Sequence, residues 1–156
     1  MDYLPDLIEF NGNFDEFIES VYGIFNEEIL TSGITFRNLP VRPRYSPEYK
    51  NKELGFWHIT SEGSDNREEE DRLPDLDRCR RIRWISWMII NHNHDDVHCW
   101  EERRKSTTEI VIWHESARYV VVLSERSNYW LLKTAYPITY SSKERSLRSS
   151  LRRANQ

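Results

Sequence analysis

The sequence predicts an α+β fold: N-terminal helices packed on a curved antiparallel sheet of about four strands, closed by a basic C-terminal helix. Three observations lead there. Residues 107–137, TTEIVIWHESARYVVVLSERSNYWLLKTAYP, hold strand-like runs separated by short polar connections. Residues 14–30 place Phe14, Phe17, Ile18, Val21, Ile24, Phe25 and Leu30 at helical spacing. Residues 143–153 set Lys143, Arg145, Arg148, Arg152 and Arg153 against Glu144 alone in a helix-compatible run.

The elements follow in order. Asn13, with Glu16 at the capping-box position, predicts the start of the first helix, and Gly33 its end. Residues 39–47, LPVRPRYSP, predict an extended connector exposing Arg42 and Arg44, because three prolines in nine residues resist a helix. Gly55-Phe56-Trp57-His58-Ile59-Thr60 reads as a short strand rich in aromatic and β-branched residues. Residues 61–72 read as a polar loop carrying Gly63 and the run Glu68, Glu69, Glu70 and Asp71. Pro74 and Asp75 then open a second helix to about residue 91, with Leu76, Cys79, Ile82, Ile85 and Ile89 in phase. Its arginines, Arg78, Arg80, Arg81 and Arg83, sit at the end that the helix dipole disfavours for cations, so another partner is expected to compensate them.

Beyond a charged segment ending at Lys105 come the strands. Residues 119–123, YVVVL, suit a central strand, and the short links on either side predict an antiparallel meander. At 156 residues the chain reads as one domain: an N-terminal helix and connector over 1–50, a core over 51–140, and the closing helix over 141–156.

Composition excludes several classes. Aromatic residues make up 13% of the chain, which argues against general disorder. The N-terminus, MDYLPD, lacks the basic region of a secretory leader, no apolar run approaches the ~18 residues of a membrane helix, and a cytoplasmic protein is expected. Cys79 and Cys99 build no disulfide framework. The net charge of −4 hides an asymmetry: residues 1–30 hold eight acidic groups and no Lys or Arg, whereas 100–156 hold eleven Lys or Arg against six Asp or Glu. A basic C-terminal half is compatible with a nucleic-acid partner.

The candidate chemistry lies in two places. Lys133-Thr134-Ala135-Tyr136 puts a cation, a hydroxyl and a phenol at the exit of a strand, a combination suited to phosphate. His58 is the histidine set in an apolar, strand-like context. His114, at a strand end, is its rival. His92, His94, His98 and Cys99 crowd together but match no zinc spacing, and the acidic run at 68–71 lacks a rigid frame for Mg²⁺, so no metal or cofactor is expected.

With these residues in place, the chain resembles the barnase–EndoU–colicin–RelE class of small ribonuclease folds, in its phage- and toxin-associated branches. The likeness rests on Phe56-Trp57-His58-Ile59, on the helix over 76–90, and on the meander segments YVVVL and YWLLKTAYP. It spans roughly residues 50–140. It implies metal-independent RNA cleavage, in which the ribose 2′-OH attacks the adjacent phosphate, and it implies a cognate antitoxin or immunity protein as a second partner. In that chemistry His58 is the candidate general acid/base. Thr134 and Tyr136 are candidate donors to the phosphate, with Lys133 or Arg126 as the cation. Alternation sets a condition: Lys133 and Thr134 point to opposite faces unless the strand ends or bulges there. The competing expectation is a non-enzymatic module that binds nucleic acid or protein.

Overall fold

Asn13 starts the first helix as its sequence predicts, its Oδ1 accepting from Glu16 N–H at 3.1 Å. The computed structural model describes residues 2–62 and 73–156. Helix α1 (Phe14–Phe25) runs on into a π-helical turn, Asn26–Leu30, and buries Phe17, Ile18, Val21, Phe25 and Ile29. Gly33 then turns the chain at φ +71°, a backbone region that suits glycine.

The proline-rich connector departs from expectation by supplying sheet. Strands β1 (Thr35–Phe36) and β2 (Leu39–Arg42) form a hairpin whose turn residues, Arg37 and Asn38, have φ of 48° and 66°. Strand β2 then pairs in parallel with β8 (Trp130–Pro137), Val41 facing Trp130 and Arg42 facing Leu131. The segment expected as a strand around His58 is instead a helix, α2 (Leu54–Thr60). Leu54, Gly55, Phe56, Trp57, Ile59 and Thr60 are all buried, so the segment shows neither of the periodicities that separate strand from helix. Thr60 Oγ1 donates back to the Phe56 carbonyl at 2.8 Å.

The chain next forms β3 (Ser61–Glu62), which pairs with β4 (Leu73–Pro74). Gly63 and the acidic run at 68–71 lie outside the described residues. The expected second helix divides into α3 (Leu76–Arg80) and α4 (Ile82–Ile90), broken at Arg81 with φ −99° and ψ 16°. Its arginines find separate partners: Arg80 Nε donates to the Ile8 carbonyl at 3.0 Å, Arg81 lies 3.8 Å from Asp77, and Arg83 lies 3.7 Å from Glu28.

The sheet has six strands in the order β1-β2-β8-β7-β6-β5, so it is mixed and larger than the antiparallel sheet of about four strands expected. The expected meander forms the antiparallel part: β5 (Val97–Arg104), β6 (Thr107–His114), β7 (Tyr119–Glu125) and β8. Strand β5 runs through the charged segment that ends at Lys105, ahead of the expected strands. Alternation divides the sheet's two faces. Ile110, Ile112, Val121 and Leu132 pack with α1, α2 and α4 in one cluster. Val111, Trp113 and Val120 pack with Trp100, Ile138 and Leu147 in another, where α5 (Ser141–Ala154) lies. Among the described residues no helix is long and apolar enough to cross a membrane.

Candidate active site: a cleft beside the bulged strand

Strand β8 carries an irregularity where the sequence condition required one. Leu123 pairs with Leu132 and Val122 with Thr134, which leaves Lys133 as an extra residue. A bulge of this kind reverses the facing of everything beyond it. Thr134 and Tyr136 therefore part from Leu132, which stays in the core cluster, and stand opposite Val122 and Val120. Lys133 and Thr134 consequently line the same cleft.

That cleft, about 580 Å³ in volume, lies between α2, α3, β8 and the start of α5. It brings together His58, Lys133, Thr134 and Tyr136 from the expected site, and adds Arg44, Ser61, Arg78 and Lys143. Gly55 makes the cleft's wall possible. Its N–H donates to the Arg44 carbonyl at 2.8 Å, and a Cβ there would meet Pro43 Cβ at 2.7 Å and Arg44 N at 2.8 Å. The absence of a side chain thus lets α2 lie directly on the segment after β2 that carries Arg44.

His58, in the last turn of α2, is half-buried, with Nε2 shielded from solvent. Arg78 belongs to α3, whose N-cap Asp75 accepts from Asp77 N–H at 3.0 Å and lies 3.8 Å from the Arg78 guanidinium. The Tyr136 ring is approached by two cations, the Arg78 guanidinium at 5.6 Å and the Lys143 ammonium at 5.7 Å from its centroid. Such contacts favour a fixed placement of all three side chains. Lys133 is held differently: its Nζ lies 2.5 Å from the carboxylate of Glu109, a buried acid that also meets Arg104 at 3.4 Å. Two carboxylates line the cleft as well: Asp75, beside Arg78, and Asp77, which lies 3.8 Å from Arg81.

Two candidates stand apart. Arg126 lies in the β7–β8 connection, at the far end of β8 from Tyr136, and donates to Ser124 Oγ at 2.8 Å and to the Glu125 carbonyl at 3.0 Å. His114 is fully buried, and it anchors the N-terminal segment instead. Its Nδ1 accepts from Ala117 N–H at 3.1 Å, so the proton of the neutral ring sits on Nε2, 2.8 Å from Tyr3 Oη. Tyr3 in turn donates to Asp96. Burial, then the Asp96 bond, pushes the Tyr3 phenol up to about 12, while the Tyr3 bond holds the Asp96 carboxyl below its ordinary value. The crowded histidines likewise serve structure: His92 bonds the Ile89 carbonyl, and His98 meets Glu115 at 3.5 Å. Among the described residues no group of ligands is arranged to hold a metal.

A stability prediction follows from the anchor. Burial lowers the His114 pKa below 6.5, so the unfolded chain takes up the proton first as pH falls through that value. The stability from this group is complete above about pH 6.5 and is lost on acidification. The urea midpoint of the wild-type chain should therefore drop between about pH 7.5 and pH 5.5. Tyr3→Phe should cost about 1 kcal/mol at the higher pH, because it strands the His114 donor. Equal midpoints for the variant and the wild type would contradict the anchor.

No family model, no curated protein and no solved structure matches this chain.

Sequence reasoning missed Arg44, Ser61, Arg78 and Lys143 as cleft residues. For Arg78 the signal was present, since arginines at the wrong end of a helix point to a partner elsewhere. For Arg44 none was, because its place depends on how closely Gly55 lets α2 approach.

Proposed function

We propose that the cleft between α2 and the bulged β8 cleaves RNA by internal attack, without a metal. His58 takes the proton of a ribose 2′-OH, the 2′-oxygen bonds to phosphorus, and the bond from phosphorus to the 5′-oxygen breaks. Water protonates the leaving oxygen, and a 2′,3′-cyclic phosphate remains. Arg78 and Lys143 face the charge that develops on phosphorus, with Thr134 and Tyr136 as hydroxyl donors. One observation carries the reading. An imidazole, two hydroxyls and several cations converge on one cleft from α2, α3, β8 and α5.

The shielding of His58 Nε2 favours a second reading, in which the same cleft binds RNA without cutting it. Incubating the purified chain with total RNA in the presence of EDTA separates the two. The cleavage reading expects new RNA ends that chelation does not prevent, and RNA left intact would move the assignment to binding.

The roles of the cations divide in a testable way. Arg78→Ala should lower kcat/KM about a hundredfold, the loss expected when one donor to a developing oxyanion is removed. Arg126→Ala should leave kcat/KM within about twofold, as befits a surface group away from the site. Equal losses in the two variants would contradict the placement of the reaction in this cleft.

A further inference from the structure

A second cleft, of about 430 Å³, adjoins the first and shares Tyr136 and Lys143 with it. Val111, Val120 and Val122 lie beneath it on neighbouring strands; Val111 and Val120 are buried in the core, and Val122 alone is part-exposed. Its walls come from the end of the β5–β6 hairpin and from one stripe of α5. Acidic and basic groups both line it, but they are not equally committed.

The carboxylates are already engaged. Glu101 holds Arg37 at 2.5 Å, Glu102 accepts from Trp100 Nε1 at 3.2 Å and from Arg104 at 3.3 Å, and Glu109 holds Lys133 at 2.5 Å. The remaining cations have only hydroxyl or aromatic neighbours. Arg103 donates to Thr108 Oγ1 at 3.0 Å, Arg153 to Ser149 Oγ at 3.2 Å, and Lys143 stands over the Tyr136 ring. Among the described residues no carboxylate lies within ion-pair distance of these three. Lys143 and Arg153 lie ten residues apart on α5, a separation of about 15 Å along the helix axis.

We infer that this second cleft binds the substrate strand beyond the cleavage point, with Arg153 and Arg103 on phosphates further along the strand than the one that Lys143 faces. The inference rests on the reading of the first cleft as the RNA site, and it names the substrate as an extended single strand. Cations spaced along a groove suit a backbone that tracks it, as in proteins that bind single strands.

The test measures binding of 2′-O-methyl RNA, which lacks the attacking hydroxyl, by fluorescence anisotropy across a range of salt. The wild-type chain is compared with Arg103→Ala/Arg153→Ala, both sites being exposed. For a strand of about twelve nucleotides, removing two phosphate contacts should weaken binding about tenfold and reduce the salt slope by about 1.4, at about 0.7 per contact. Binding of a dinucleotide, and cleavage of a dinucleotide ribose substrate, should be unchanged. An unchanged slope and affinity for the long strand would overturn the track while leaving the first cleft's assignment in place. Equal weakening for long and short strands would overturn it too. Failure of the wild-type chain to bind either strand would overturn both readings and leave an acidic protein surface as the match for these cations.

Discussion

Replacing His58 with alanine is expected to lower the rate of RNA cleavage about a hundred- to ten-thousandfold while leaving RNA affinity within about threefold, since positioned proton transfer typically contributes 10²–10⁴ in rate. The prediction separates chemistry from binding because the cleft's cations are supplied by other elements: Arg44 by the segment after β2, Arg78 by α3, and Lys143 by α5. Removing the imidazole leaves those charges where they are. The affinity arm uses a 2′-O-methyl strand, so that cleavage cannot distort the binding curve. Rate and affinity falling together would mean that His58 holds the cleft's shape rather than moving a proton. A rate equal to wild type would remove His58 from the mechanism.

Gly55→Ala is expected to cost about 3 kcal/mol of stability, at the upper end of the usual range for forcing atoms into a packed interior. For a chain of this size that corresponds to a fall in Tm of roughly 6–12 °C. The added methyl meets Pro43 Cβ at 2.7 Å on one side and the Arg44 backbone nitrogen at 2.8 Å on another, so no rotamer change relieves it. The hydrogen bond from Gly55 N–H to the Arg44 carbonyl ties the same segments, which means that relief must move α2 away from Arg44. Cleavage should therefore fall even below the new Tm, because His58 moves with α2. Thermal denaturation and a cleavage assay on one preparation check both effects. A Tm within about 2 °C of wild type, a shift of at most about 1 kcal/mol, would contradict the close packing.

Much of the architecture was legible in the sequence. Asn13 marked the first helix correctly because a cap is a local interaction between neighbours. The run YVVVL indicated a central strand, and β7 does lie between β6 and β8. The errors arose where distant contacts decide. Leu39–Arg42 looked like an extended connector because its prolines resist a helix, and pairing of Val41 and Arg42 with β8 makes it a strand. Phe56-Trp57-His58-Ile59 has strand-like composition, but burial on every side lets a short helix form.

The candidate site was legible in part. Thr134 and Tyr136 were chosen as a pair on alternation, and the bulge at Lys133 keeps them together while turning them away from Leu132. Lys133 itself is drawn to Glu109, a partner 24 residues away in sequence that no local pattern indicates. Arg126 was judged by its nearness in sequence to β8, whereas the length of that strand carries it to the opposite end. Arg78 and Lys143, which flank Tyr136, come from helices that sequence alone does not bring to the same strand.

The most direct measurement uses two synthetic RNAs that differ only by a 2′-deoxy substitution at the cleaved position, each incubated with the wild-type chain in EDTA and analysed by mass spectrometry. The ribose strand should be cut to a product ending in a 2′,3′-cyclic phosphate, and the substituted strand should remain whole. Cleavage of both strands, or cleavage of neither, would contradict internal attack in the cleft between α2 and β8.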